Sequence, residues 1–434
     1  MKFLNLIFIL FFVNCAKYTN ITRIKFKNLN EKLILSINEG NVEKVKHFME
    51  LGANVNHICN KTSILEHAIK KENLAIITEL LKNKNIEYDK DEIEKIYNIS
   101  LHNLNCYPIQ LILEKEKIKE KIKEKNLINN NIIFLFLCFT SNKETVENFI
   151  KSNNLNPINI QDKNERNGLI LAALGRKRDI IELLVKKYKL GINSKDSNGN
   201  SSLILASFYN FIDEAKLLVS LGANVEEENF DGNTALLRAV QNSNLEIAKF
   251  LIENNANIDC KDIFGCTPLI FACEEHNIEI VRILINKGAN FNSKDDLGNT
   301  AMKYALFSEN LEILKIFLKN GADVNCKDSE GNTLLMIAVK NNLYNMVKIL
   351  LESKAEINLG NNIGNTALIL AVFSRNSEVV KLLLDNGADI DKCNKLNLNA
   401  IEYSRIIDNP DIYSLLLNTK KIRLLVRILK FNPR

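Results

Sequence analysis

One arrangement of apolar and polar residues recurs along the middle of the chain at a fixed step of 33 residues. Each unit opens with a glycine, followed two positions later by serine or threonine and five positions after that by alanine. A polar gap then precedes a second apolar run with helical periodicity, such as IVRILI at 280–285 or VVKLLL at 379–384. This pattern predicts a helix, a turn, a second helix and an extended finger in each unit.

Each recurring residue type has a physical role at its position. Glycine permits the backbone conformation of a turn, the hydroxyl caps an unpaired N–H at a helix start, and alanine lets a neighbouring helix approach closely. One unit cannot bury its apolar faces alone, so we expect consecutive units to stack into a solenoid. The glycine, hydroxyl and alanine positions are Gly199, Ser201, Ala206; Gly232, Thr234, Ala239; Gly265, Thr267, Ala272; Gly298, Thr300, Ala305; Gly331, Thr333, Ala338; and Gly364, Thr366, Ala371.

These motifs resemble the ankyrin repeat, most clearly at 265–272 (GCTPLIFA) and in closing segments such as 288–290 (GAN). The resemblance implies an all-α ankyrin-repeat solenoid of stacked helix-turn-helix units with β-turn fingers. The chain departs from the family pattern because the motif proline remains only at Pro268 and the motif histidine is replaced in every unit. We therefore expect apolar packing between repeats in place of the family's histidine-centred hydrogen bonds. The replacing residues are Ile204, Leu237, Ile270, Lys303, Met336 and Ile369.

The repeat pattern weakens toward both ends of the chain. Upstream, residues 167–172 match the unit at a step of 34, and the match almost disappears between about 86 and 127, where 115–125 (KEKIKEKIKEK) predicts an irregular helical insert. Downstream, one further unit continues the step and has the position of a cap. The predicted divisions are a signal peptide at 1–14, a tether at 15–27, divergent N-terminal repeats with the insert at 28–127, ankyrin repeats at 128–394, and a C-terminal cap with a basic amphipathic helix at 395–434.

The start of the chain is typical of an export signal. Met1-Lys2 precedes an apolar run at 3–13, whose eleven residues would span only ~17 Å as a helix, against a hydrocarbon core of ~30 Å. Residues 12–15 (FVNC) resemble a bacterial lipobox, although Asn14 and Phe12 differ from its usual residues. We expect Cys15 to carry a lipid that anchors a cell-envelope lipoprotein to a membrane. The alternatives are an unlipidated, secreted chain and a cytoplasmic chain whose apolar start is not processed.

The end of the chain combines basic and apolar residues. Lys420 to Arg434 (KKIRLLVRILKFNPR) contains six basic residues and no acid. Its apolar residues Ile422, Leu424 and Leu425 are grouped at helical spacing with Ile428 and Leu429. Two interpretations remain open: a final helix whose apolar face covers the last repeat, or a basic amphipathic helix that lies on an anionic membrane.

Composition and motifs favour binding over catalysis. A formal charge of +5 is too small to indicate nucleic acid, the five histidines share no motif with acids or cysteines, and the sequence contains no P-loop, HExxH or GxSxG. Asp262, Asp295 and Asp328 recur at 33 residues, which places them ~10 Å apart in adjacent repeats, too far to share one metal ion. We interpret them as caps of the finger turns. We predict no catalytic residues, no metal, no cofactor and no small-molecule substrate.

A set of large apolar residues falls at positions that would face the concave side of the repeats. These positions precede each turn glycine or follow each motif alanine at the end of the first helix. An exposed row of such groups is costly unless it is used, so we expect it to contact a protein partner through aromatic anchors. The alternative is that individual members tuck between repeats as core. This apolar stripe consists of Phe208, Tyr209, Phe230, Ile263, Phe264, Leu297, Phe307, Ile363 and Phe373.

Overall fold

The computed structural model describes residues 29–59, 62–102, 108, 111–112 and 130–431. The chain divides into two compact units, Met1–Asp162 and Lys163–Arg434. The signal peptide, the tether with Cys15 and the charged insert at 115–125 lie outside the described residues. Within the described part, no helix is both long and apolar enough to cross a membrane.

The first unit contains helix pairs joined by tight turns. Its second helices bury aliphatic side chains such as Ile76, Ile77 and Leu80, and polar side chains cap the helix starts, as Asn73 does by accepting from the Ile76 N–H. Strands β1 (Ile58–Cys59) and β2 (Thr62–Ser63) form a short antiparallel hairpin in which Ile58 faces Ser63. The helices are α1 (29–38), α2 (Val42–Glu50), α3 (Ile64–Lys70), α4 (Leu74–Lys82), α5 (Lys90–His102), α6 (Asn130–Thr140) and α7 (Lys143–Ser152), followed by a 3-10 turn at Pro157–Asn159.

The second unit is a solenoid of stacked helix pairs. Each first helix packs against the second helix of its own repeat and the first helix of the next. The pairs are α8 (Gly168–Leu174) with α9 (Arg178–Glu182), α10 (Ser202–Phe208) with α11 (Ile212–Ser220), α12 (Ala235–Gln241) with α13 (Leu245–Glu253), α14 (Pro268–Glu274) with α15 (Ile278–Asn286), α16 (Ala301–Phe307) with α17 (Leu311–Lys319), α18 (Leu334–Lys340) with α19 (Tyr344–Glu352), α20 (Ala367–Phe373) with α21 (Ser377–Asp385), and α22 (Ala400–Ile406) with α23 (Pro410–Phe431).

The roles predicted for the repeated triplets are confirmed with one exception. The six turn glycines have φ between 71° and 82°, and the six alanines are at most 1% exposed where neighbouring first helices meet. Five of the six hydroxyls accept a hydrogen bond from the N–H three residues later. Thr300 occupies the same position but makes no such bond, so the prediction is wrong for its side chain.

The step of 34 residues at the first of these repeats has a structural explanation. α9 continues directly into a π-helix at Leu183–Lys187, and a π-helical turn accommodates one additional residue within a helix. Ile180 before it corresponds to Glu214 at a step of 34, whereas Leu190 after it corresponds to Ala223 at a step of 33. The extra residue is therefore absorbed within the helix, and the finger keeps its register.

α23 only partly fulfils its expected role as a cap. Ile412 and Leu416 in its first half are fully buried. Ile422, Leu424 and Leu425 farther along are exposed, so the expectation that the apolar face covers the last repeat is wrong for these residues. The reason is that Arg423, which donates hydrogen bonds to backbone carbonyls, occupies the side of the helix that faces the repeat.

Candidate protein-interaction surface

The fingers of adjacent repeats are joined by a ladder of backbone hydrogen bonds. The Phe230 N–H donates to the Asn198 carbonyl at 3.1 Å, and the Ile263 N–H donates to the Asp231 carbonyl at 3.0 Å. The same bond recurs between later fingers, for example from the Asn362 N–H to the Glu330 carbonyl, but it is not formed between Ser329 and Leu297. Because these donors and acceptors flank the finger tips, the ladder fixes the spacing of the tip side chains wherever it is formed.

Each finger turn is closed by a carboxylate or amide, as predicted for the three aspartates. The Asp262 side chain accepts from the N–H groups of Phe264 and Cys266 at 3.0 and 2.8 Å. The prediction was incomplete, because the same position holds a cap throughout the repeats. A search at the same 33-residue step would have found the additional members, which are Asp196, Asn229, Asn361 and Asn394.

The stripe residues on the fingers all lie at the surface. These side chains are between 53% and 77% exposed, and none tucks between repeats. Their backbones are held by the ladder and the turn caps, so large apolar groups are presented on a defined framework. The members of this group are Phe230, Ile263, Phe264, Leu297 and Ile363.

The first-helix members of the stripe differ in their surroundings. Phe208, Phe307 and Phe373 are between 38% and 63% exposed. Tyr209 is only half-buried, and its ring lies 4.9 Å from that of Phe208 and 5.8 Å from that of Phe211. Tyr209 therefore supports an aromatic cluster more than it offers a free contact.

Basic side chains accompany two of these rings. The Arg238 guanidinium lies 5.9 Å from the ring centre of Phe208, and the Lys303 ammonium lies 5.8 Å from that of Phe307. Cations at this distance are attracted to the face of an aromatic ring. Acidic groups are also present, since Asp231 and Glu330 lie exposed at finger tips. The surface thus combines apolar anchors with charges of both signs.

Sequence reasoning missed two exposed residues in the final repeat. Leu396 and Ile406 are 71% and 64% exposed. They lie 33 residues after Ile363 and Phe373, respectively. The repeat step was a sufficient signal, and it extends the stripe onto the last helix pair.

The positions that replace the motif histidine are packed largely as expected. Five of them, all apolar, are at most 1% exposed. Lys303 is the exception, because its ammonium reaches Asp328 at 3.6 Å. Beside it, the Tyr304 hydroxyl donates to Asp295 at 2.7 Å. Burial raises the pKa of Tyr304, and the hydrogen bond to Asp295 raises it further. Burial also acts to raise the pKa of Asp295, but the hydrogen bonds that this carboxylate accepts have the larger effect, and its pKa is lowered.

Two cysteines of this unit, Cys260 and Cys266, are poor candidates for covalent chemistry. Burial raises the pKa of Cys260 to about 11 and that of Cys266 to about 12, so both remain thiols at neutral pH. The thiolate is the nucleophilic form, which makes these groups weak nucleophiles. Among the described residues, no group of three or more His, Cys, Asp or Glu side chains is placed to hold a metal ion.

Comparison with known families agrees with the repeat geometry. The family model described as "Ankyrin repeats (3 copies)" matches residues 134–229, 187–262, 236–328 and 302–394. The chain belongs to the ankyrin-repeat family. A search of the curated proteins found no match. Among solved structures, the chain is similar to the ankyrin repeat domain of Bcl-3, described as a unique member of the IkappaB protein family. That similarity has 26% identity and a TM-score of 0.48 over 51% of this chain and 99% of that chain.

Ankyrin repeats indicate a role in protein–protein interaction, and proteins built from them are in general scaffolds without enzymatic activity. In a solenoid, the extended row of fingers and first helices is the natural contact surface. The exposed apolar stripe lies on that row in this chain. The stripe is therefore the candidate site to which a function has to be assigned.

Proposed function

We propose that this ankyrin-repeat protein is a non-enzymatic binding module that holds one protein partner on the apolar stripe. The observation that carries the proposal is the exposure of aromatic and aliphatic side chains in the same two regions of the repeats, the finger tip and the end of the first helix. Hot spots of protein interfaces are enriched in large, fixed aromatic groups with a surrounding polar rim. The stripe has both features.

The rigidity of the fingers supports the same assignment. The finger tips are restrained by the backbone ladder and by side-chain caps such as Asp262, so little conformational entropy is lost when the tip residues are buried. A surface that is already ordered binds at a lower entropic cost than flexible loops. We expect the partner to present an apolar patch with both acidic and basic groups at its edge, matching the rim charges of the stripe.

Site-specific crosslinking tests where a partner binds. A photoreactive residue replaces Phe264 on a finger in the full chain, and a matched one replaces Lys348, which is exposed on the second helix α19. We expect crosslinking in intact cells to attach one protein at position 264 and not at position 348, and mass spectrometry to identify it. Equal labelling at the two positions would remove the support for the stripe.

Substitution of the anchors tests their energetic role once the partner is identified. Exchanging Phe208, Phe264 and Phe307 for serine is expected to weaken binding by at least ~100-fold, since each hot-spot side chain contributes ~2 kcal/mol or more. Helical content by circular dichroism should be unchanged because these side chains are exposed. The matched control exchanges Ile422, Leu424 and Val426 for serine, which removes three exposed aliphatic groups outside the stripe. Retained binding by the first variant would refute the proposal.

We further propose that the chain is exported and anchored to a membrane by lipid at Cys15. The support is the sequence at 1–15, with its basic start, short apolar run and cysteine. The secreted and cytoplasmic forms named above are the alternatives. Intact mass of the native protein distinguishes them: loss of residues 1–14 with added acyl mass supports the anchor, loss without acyl mass supports secretion, and an unprocessed Met1 contradicts export.

A further inference from the structure

The last helix of the chain changes character along its length. On the side that faces α21, the buried Ile412 and Leu416 are followed by Lys420 and Arg423, at spacings of three to four residues that keep them on one side of a helix. The Arg423 guanidinium donates to the carbonyls of Leu384 and Ala388 at 2.5 and 2.7 Å. The end of α23 is thus attached through charged groups to backbone acceptors.

Because charged residues face α21, the apolar residues at this end of the helix are exposed to solvent. Ile422, Leu424, Leu425 and Val426 are between 46% and 60% exposed. They are all aliphatic, and Ile422 lies three and four residues before Leu425 and Val426, so these three share one side of the helix and Leu424 lies at its margin. We refer to residues 420–431 as the distal helix. Large contiguous apolar patches on a soluble surface are unfavourable unless they bind something.

The charges on the helix itself after Asp411 have a single sign. No Asp or Glu follows Asp411 in the sequence, whereas Lys420 and five further basic residues follow it. Lys420 is paired with Asp391 and Arg423 donates to carbonyls. Lys421 is exposed and lies three and four residues before Leu424 and Leu425, which places it beside them on the helix. Any occupant must accept aliphatic groups and carry negative charge at its surface.

The charge pattern distinguishes between two candidate occupants of this surface, a second copy of the helix and an anionic bilayer. A second copy of the distal helix would bring two sets of like charges together with no acidic residue on either helix segment, which is repulsive. The surface of an anionic bilayer supplies both an apolar interior and negative headgroups, and amphipathic helices with basic polar faces lie in that interface. We propose that the distal helix binds an anionic phospholipid membrane surface, independently of any lipid at Cys15.

The chain contains no Trp, which permits a local fluorescence test in the full-length protein. Leu425→Trp places a single reporter in the patch, and Phe373→Trp places a matched one in the apolar stripe. Vesicles of phosphatidylcholine alone and of phosphatidylcholine with 30–40% phosphatidylglycerol are the probes, at roughly physiological salt. Because the signal is local, attachment of the chain through its N-terminus does not mimic insertion at residue 425.

We expect a blue shift and quenching by lipids brominated on the acyl chain at position 425 with the anionic vesicles only, and neither at position 373. Lys421→Gln, Arg427→Gln and Lys430→Gln together should raise the lipid concentration at half-saturation by about 100-fold, since each basic residue near such a surface contributes ~1 kcal/mol. No shift at position 425, or an equal shift with neutral vesicles, would overturn the proposal. So would a shift without lipid that grows with protein concentration, which would indicate a second copy.

Discussion

The apolar stripe and the distal helix are both exposed and apolar, but different groups surround them. The stripe presents aromatic rings on restrained fingers and helix ends, with acids such as Glu330 and bases such as Arg238 at its edge. In the distal helix, the exposed apolar side chains among residues 420–426 are all aliphatic, and the charges of the segment are all positive. Fixed rings with mixed charges suit a partner of defined surface, whereas aliphatic groups with one sign of charge suit a fluid anionic interface. Exposure alone therefore does not determine what binds to an apolar surface; the groups around the surface determine it.

Salt provides the largest expected separation of the two surfaces. Raising NaCl from 0.05 to 0.5 M shortens the screening length severalfold, so the lipid concentration at half-saturation for the reporter at position 425 should rise at least tenfold. Binding of the identified partner to the stripe should change by less than about threefold, because its anchors are apolar. Titrations by fluorescence and by calorimetry measure the two quantities. A comparable salt effect on both would contradict the comparison.

The repeat period predicted the framework of the stripe but not its details. The 33-residue step located the helices, the turn glycines and the buried alanines because each role depends on local backbone geometry. It did not predict that the turns between paired helices place non-glycine residues such as Ser243, His276 and Glu309 at φ between 52° and 56°. Packing of the two helices imposes that conformation, and sequence propensity opposes it.

The distal helix was less predictable for a related reason. Its helical spacing was visible in the sequence, but which side faces α21 depends on how α23 packs against the repeat. Arg423 is held there by hydrogen bonds to backbone carbonyls. Every residue has a backbone carbonyl, so the sequence does not indicate which ones are acceptors. For this reason the sequence favoured the cap and kept the membrane helix as the alternative, and the structure was needed to show which apolar groups are exposed.

A pair of glycine substitutions tests whether finger geometry matters to the stripe alone. Gly331 has φ 75°, and an added Cβ would lie 2.8 Å from the Asn362 backbone nitrogen of the next finger. Gly331→Ala should therefore destabilise the protein by about 2–3 kcal/mol, from backbone strain together with crowding. Gly321 has φ 84° but no atom within 4 Å, so Gly321→Ala should cost only about 1 kcal/mol. Urea unfolding measures both.

The same pair separates the two surfaces functionally. Under native conditions, Gly331→Ala should also weaken partner binding because it displaces neighbouring finger tips, whereas lipid binding at position 425 should be unchanged. Gly321 lies after the second helix α17, and its substitution should alter neither activity. Equal losses of stability from the two substitutions would show that contact between fingers does not restrain the stripe.

The smallest expected effect concerns pH, which should act on the fingers and not on the distal helix. Asp295 accepts hydrogen bonds from Asn299 and Tyr304, and despite the opposing effect of burial its pKa is lowered. A lowered pKa in the folded state means that the unfolded state binds the proton more readily, so Asp295 stabilises the fold above the unfolded pKa of about 4 and loses this contribution as pH falls through and below it.

Asp295→Asn, which copies the amides found at Asn229 and Asn361, should cost about 1 kcal/mol at pH 7, and the difference from the parent should shrink toward pH 3. The control Asp389→Asn changes an exposed carboxylate that accepts one backbone N–H, and it should show little difference at either pH. If the Asp295→Asn difference in unfolding free energy stayed constant with pH, the charge of this carboxylate would not be what stabilises the finger.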